Sequence, residues 1–179
     1  MITDALVNFV PPGSPLSLIG ASGASFASNV YDILGVGVGQ APPAIIGTRT
    51  LFGQDNGIGS MKPLVESVIG TAVVGAGASV NCQFQGAVDT GLSGGYQPGT
   101  WITLVETGAI AITNLTAQAI FGRFDFPPAF PAGTLPRYLR LNYVISGASI
   151  TAGTVAFAIV TTARDDWSAG YAAKNYTVA

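Results

Sequence analysis

The sequence predicts an all-β fold, a jelly-roll-like β-sandwich with a long Gly/Pro-rich loop insertion. Three observations predict it. Polar and apolar residues alternate with a period of two in several segments, as they do in strands with one buried face. Almost no segment shows the 3.6-residue period of a long amphipathic helix. The 24 glycines and 11 prolines fall largely between the alternating segments, which leaves seven or eight short strands punctuated by turns.

The clearest strand runs from Ser79 to Phe84, where Val80, Cys82 and Phe84 alternate with Ser79, Asn81, Gln83 and Gln85. From Arg137 to Ser146, Leu139, Leu141, Tyr143 and Ile145 share a face opposite Tyr138, Arg140, Asn142 and Val144. In Thr154 to Thr162, Val155, Phe157 and Ile159 lie on one side and the small Ala156 and Ala158 on the other. The linker Gly147 to Gly153 has the Gly and Ser of a hairpin loop, so these last two strands are expected to pair. Further strands are expected at Asn29 to Leu34, Pro63 to Val74, Thr100 to Thr107 and Gln118 to Phe126, with one more at Ile2 to Phe9.

A chain of 179 residues fits one domain with a real hydrophobic core, assigned to residues 1–163. Within it, residues 35–63 form a connection far longer than a hairpin loop. Ile45, Ile46, Leu51 and Phe52 have no obvious strand there and are expected to form an arm lying on a partner, against the alternative of a flap over their own core. Residues 164–179 form a C-terminal aromatic extension. Its Trp167, Tyr171 and Tyr176 are of the type enriched at contact sites and are expected to dock, against the alternative of a frayed terminus.

Only 9% of the residues are charged, against roughly 25% in ordinary soluble domains. Depletion of charge is a property of surfaces that become covered by other chains. The alternative is a neutral surface of Ser, Thr, Asn, Gln and Gly. The cations Arg49, Lys62, Arg123, Arg137, Arg140, Arg164 and Lys174, with a pI near 4.7, make no basic stripe for a phosphate backbone, so no nucleic-acid partner is expected. No stretch reaches the roughly 18 to 20 apolar residues of a bilayer span, and no membrane partner is expected. Met1 to Val10 lacks the basic and hydrophobic regions of a signal peptide. The sequons at Asn114 and Asn175 are therefore read as chance matches.

The chain has no histidine. That removes the commonest general base and metal ligand, and with it the Ser-His-Asp and Cys-His arrangements. Glu66, Glu106, Asp89 and Asp125 are the acids a glycosidase would draw on, yet no spacing brings two of them together. Arg123 and Asp125 share a strand face and suit a structural pair. Asp165-Asp166 lacks the spacing of a calcium loop. Cys82 is the sole cysteine, so no intrachain disulfide or thiolate cluster forms. Gly35-Val-Gly-Val-Gly39 is followed by Ala41-Pro42-Pro43 rather than by a helix, so it does not cradle a dinucleotide. No enzyme activity, catalytic residue, metal or cofactor is expected.

The block Arg137-Tyr-Leu-Arg-Leu-Asn-Tyr-Val-Ile-Ser-Gly147, followed by Thr151-Ala-Gly-Thr-Val-Ala-Phe-Ala-Ile-Val160, resembles the capsid cement, or decoration, proteins of tailed bacteriophages. The opening Met1 to Leu6, Asn29 to Gly35, Asp55 to Gly59 before Lys62-Pro-Leu64, Ser79 to Asp89 and Glu106 to Ile110 resemble the same family in order. The enlarged segment at residues 36–54 and the aromatic tail depart from its pattern.

The resemblance implies a jelly-roll subunit that forms a homotrimer on the capsid exterior and stabilises the shell by bridging major capsid proteins. It implies a structural virion protein made in the host cytoplasm. The residues expected to grip the capsid are taken from their apolar and aromatic content rather than from the resemblance: Ile45, Ile46, Leu51 and Phe52 of the long loop and Trp167, Tyr171 and Tyr176 of the tail. The rival from another class is a carbohydrate-binding jelly-roll module on a phage surface, with Trp101, Trp167 or a tyrosine as stacking platform. A glycoside hydrolase is the third reading.

Overall fold

The alternation that begins at Ser79 has the outcome a period of two requires. Val80, Cys82 and Phe84 are completely buried, while Asn81, Gln83 and Gln85 point to the opposite face. The computed structural model describes residues 8–32, 44–46, 49–51, 63–90, 97–125 and 136–162. The strands among them are β1 (Asn8–Val10), β2 (Leu16–Ser17), β3 (Ser25–Ala27), β4 (Tyr31–Asp32), β5 (Ala44–Ile46), β6 (Arg49–Leu51), β7 (Pro63–Ile69), β8 (Ser79–Ala87), β9 (Ile102–Ala111), β10 (Ile120–Asp125), β11 (Tyr138–Ser146) and β12 (Thr154–Thr162). Ile112–Asn114 makes a single 3-10 turn, and the described residues contain no α-helix.

The strands form two antiparallel sheets packed face to face as a β-sandwich. One has the order β1-β12-β7-β10, with β2 also on β12; the other has the order β3-β11-β8-β9, with β4 also on β11. Four pairings are nested along the chain: β8 with β9, β7 with β10, β3 with β11, and β1 with β12. Among the described residues, β5 and β6 form a two-stranded sheet of their own, Ile45 opposite Thr50 and Ile46 opposite Arg49.

The core lies between the sheets. Its aromatic part crosses the gap: Phe9 of β1 packs edge-on to Phe84 of β8, and Phe84 packs against Phe124 of β10, with ring centroids 5.9 and 5.8 Å apart. A hydrogen bond also crosses it, between Ser67 Oγ of β7 and Tyr143 Oη of β11 at 2.8 Å, both residues fully buried. Cys82 lies opposite Tyr143, and burial pushes its thiol well above the ordinary range. Tyr143→Phe leaves the Ser67 hydroxyl without this partner and is expected to lower stability by about 1–3 kcal/mol. In urea unfolding, the double variant Ser67→Ala/Tyr143→Phe should recover most of that loss, because no orphaned hydroxyl remains and only the weakly bonding Cys82 thiol loses a partner.

Two expectations are corrected. The strands after Arg137 and Thr154 do not form a hairpin: β11 pairs with β8, β3 and β4, whereas β12 pairs with β7, β1 and β2. The linker between them crosses from one sheet to the other, tied on the way by bridges from Ile150 to Gly20 and from Ala152 to Val74. Seven extended residues reach roughly 23 Å, ample for a sheet separation of about 10 Å. Linker length therefore allows either route, and long-range partners on both edges of each strand select the crossover. Gly147 starts it at φ +79°, where an added Cβ would collide with the Gly77 carbonyl oxygen.

The second correction is the phase of β12. Its pairing with β7 slips between Val155 and Phe157, a β-bulge that sends Phe157 and Ile159 outward and turns Val155, Ala158 and Val160 into the core. β10 uses the same device. Its register slips between Ile120 and Arg123, with Gly122 at φ +86°, so Phe121 and Phe124 both face inward while Arg123 and Asp125 stay exposed. Bulges of this kind re-aim side chains without breaking the sheet.

Candidate interaction surface

The outer face of the β3-β11-β8-β9 sheet concentrates polar side chains. Asn81, Gln83 and Gln85 recur every second residue along β8. Antiparallel register sets Val144, Asn142 and Arg140 of β11 opposite them on one side, and Ala109, Glu106 and Thr103 of β9 on the other. These groups bond to one another. Gln85 Nε2 donates to Gln83 Oε1 at 3.0 Å and to Thr103 Oγ1 at 3.4 Å, and Asn142 Nδ2 donates to the same Gln83 oxygen at 3.2 Å. Asn81 Nδ2 and Gln83 Nε2 both donate to Glu106 Oε2, at 2.8 and 3.1 Å. Gln85 and Asn142 are buried, each 7% exposed, so the face is an interlocked layer rather than a freely solvated fringe.

Arg140 stands at one end of this layer. Its Nε donates to Gln85 Oε1 at 2.9 Å, and its guanidinium carbon lies 4.1 Å from the ring centre of Trp101, the residue before β9. Stacking on an indole and one hydrogen bond hold the planar group in place. Burial lowers the pKa of this guanidinium. The other arginines with described side chains have acids: Arg123 Nη2 reaches Glu66 Oε2 at 2.7 Å, and Arg137 bonds to both Asp32 and Asp89. Arg123 thus pairs with Glu66 of the neighbouring strand β7.

Glu106 sets a pH response. The amides of Asn81 and, next, Gln83 hold its pKa below the ordinary 4.5. A carboxylate whose folded pKa is depressed stabilises the fold above the unfolded-state pKa and loses that contribution as pH falls through the folded value. Below about pH 4.5, the wild type should therefore lose stability that Glu106→Gln does not lose. Parallel acid titrations of the two proteins, followed by circular dichroism, check this.

The outer face of the other sheet is mainly apolar. Leu64 and Val68 of β7 and Phe157 and Ile159 of β12 point outward and are half-buried, Ile120 is exposed, and the Glu66–Arg123 pair lies among them. Of the expected contact residues, Ile45, Ile46 and Leu51 fall in the β5-β6 hairpin. Phe52, Trp167, Tyr171 and Tyr176 lie outside the described residues. The acids weighed for glycoside hydrolysis are held separately: Glu66 by Arg123, Glu106 by Asn81 and Gln83, and Asp89 by Arg137. Among the described residues no group of three or more Cys, Asp or Glu side chains stands together as a metal site, and no helix is long and apolar enough to cross a membrane.

Sequence reasoning missed Arg140, Gln85 and Asn142 as a joined surface. A signal was present in the alternating Asn81, Gln83, Gln85 and the facing Arg140, Asn142. It did not say that the two sets are adjacent, since that depends on β8 pairing with β11 over its full length.

In class, then, the chain is an antiparallel β-sandwich with one apolar and one amide-rich outer sheet face. No protein-family model matches it, and no curated protein does.

Proposed function

We propose that the chain is a structural virion protein, a decoration subunit that binds the outer surface of a phage capsid as a homotrimer and stabilises it by bridging major capsid proteins. The observation that carries this reading is the low charge of the chain, 9% of its residues, together with outer sheet faces on which apolar side chains and mutually bonded amides surround only the Glu66–Arg123 pair, Asp125, Glu106 and Arg140 among the described residues. Such faces lose little on being covered, because few ions must be desolvated. The nested strand order supports a jelly roll, an eight-strand ribbon folded over so that its first strand meets its last, and that architecture recurs in viral capsid and lectin domains. The resemblance in the Arg137 to Ser146 block, which forms the interior strand β11, points the same way. No residue in this reading performs catalysis and no cofactor takes part.

Size exclusion coupled to light scattering is expected to give three times the 18.1 kDa chain mass, and the protein should pellet with capsids that lack it. A stable monomer that stays in the supernatant at micromolar concentration would refute the proposal.

The carbohydrate-binding alternative keeps one supporting observation, since Asn81, Gln83, Asn142 and Glu106 have the amide and carboxylate chemistry that sugar hydroxyls bond to. Against it, one face of the Trp101 ring is already covered by Arg140. A glycan array separates the readings: a decoration subunit shows no sugar preference.

A further inference from the structure

Arg140 is half-buried, stacked on Trp101 and hydrogen-bonded to Gln85 through Nε, yet its two Nη groups meet no acceptor among the described residues. None of the ion pairs among those residues includes it. Glu106, the acid on the same face, is engaged by Asn81 and Gln83 instead. A partly desolvated cation without a counter-charge is unfavourable unless something completes it. A guanidinium held flat, with one N–H edge occupied and the other open, matches the two oxygens of a carboxylate in a bidentate pair. Its hydrogen-bond partner Gln85 and Asn142, two residues further along β11, are neutral, and the carboxylate of Glu106 on the same face is already bonded to two amides.

We infer that Arg140, backed by Trp101 and oriented by Gln85, is the seat for an Asp or Glu side chain of the capsid partner, and that the amide-rich sheet face is the surface that docks. The identity of the partner rests on the decoration reading; the carboxylate seat does not. Arg140 is the binding residue here, and Trp101 and Gln85 are positioning residues. The two other arginines with described side chains serve as internal contrasts, because their Nη groups are spent on this chain's own carboxylates.

The first test uses the full-length, nitrogen-15-labelled protein with two probes, acetyl-Gly-Glu-Gly-amide and its Gln counterpart. The Glu peptide is expected to shift the Arg140 Nε–H and Trp101 indole signals saturably, the Gln peptide at least tenfold more weakly, and Arg140→Met to abolish the difference. Arg140→Lys keeps the charge but loses the fork and should bind at least threefold more weakly than wild type. Equal shifts from both peptides, or an Arg140→Met protein that responds like wild type, would overturn the seat. Because Arg140 is half-exposed, both variants should fold, which amide spectra matching wild type outside this face would verify.

The second test pellets wild type and Arg140→Met with undecorated capsids. A tenfold or greater loss of affinity supports docking through this face, whereas equal affinity overturns it. If the wild type does not bind capsids at all, the decoration reading fails and the peptide titration alone decides the seat. If Arg140→Met instead lowers the oligomeric mass, the carboxylate belongs to a neighbouring copy, and the assignment to the capsid is overturned.

Discussion

Arg137→Ala is expected to destabilise the protein by about 3–5 kcal/mol. In the wild type, Nε donates to Asp32 Oδ1 at 3.0 Å, Nη2 donates to Asp32 Oδ2 at 2.9 Å, and Nη1 reaches Asp89 Oδ2. These contacts join three places distant in sequence: β4, the segment after β8 and the start of β11. The Asp32 side chain is only 4% exposed and that of Arg137 12%. Removing the guanidinium therefore leaves a buried carboxylate without its counter-charge, the costly case for a buried ion pair. The two aspartates help hold the Arg137 proton, raising its pKa still further above the ordinary value. For a chain of this size the loss corresponds to a fall in Tm on the order of 10 °C, measurable by calorimetry at fixed protein concentration. Arg137→Lys retains charge but not the fork and should fall between the two. An Arg137→Ala protein as stable as wild type would show that the clamp adds nothing.

Phe84→Ala is expected to cost about 3–5 kcal/mol by a different mechanism. Phe84 is completely buried and touches aromatic rings of the opposite sheet on two sides, Phe9 from β1 and Phe124 from β10. Truncation removes apolar contact area and leaves a cavity between rigid sheets, which cannot close over it without moving whole strands. Phe84→Leu preserves more of the volume and should cost less. Urea midpoints for the three proteins check the order wild type, Leu, Ala. Since the substitution is internal, whatever native protein remains should keep its assembly behaviour, in contrast to Arg140→Met, which acts at the surface with little effect on the midpoint.

The all-β class, the position of most longer strands and the inward set Val80, Cys82, Phe84, Leu139, Leu141, Tyr143 and Ile145 were legible in the sequence. β2 and β3 were not, because two or three residues carry no measurable alternation. Nor were the bulges in β10 and β12. A slip of one residue leaves composition untouched yet exchanges the two faces, so Phe157 and Ile159, placed by strict alternation on the same side as Val155, lie outside while Val155 faces the core. The docking residues expected from apolar content, Ile45, Ile46 and Leu51, fall in strands β5 and β6, whereas Arg140 had been read only as a polar residue on a strand.

What the sequence determines by itself is local: period-two patterning in a chain that lacks helical periodicity commits it to strands, and the absence of imidazole and scarcity of ions narrow its chemistry. Only the tertiary structure decides which strands are neighbours, since β-pairing joins residues far apart along the chain and no local pattern encodes a partner. That is why the hairpin expected between the last two strands became a crossover, and why Arg140, Gln85 and Trp101, unremarkable as separate letters, come together on one face.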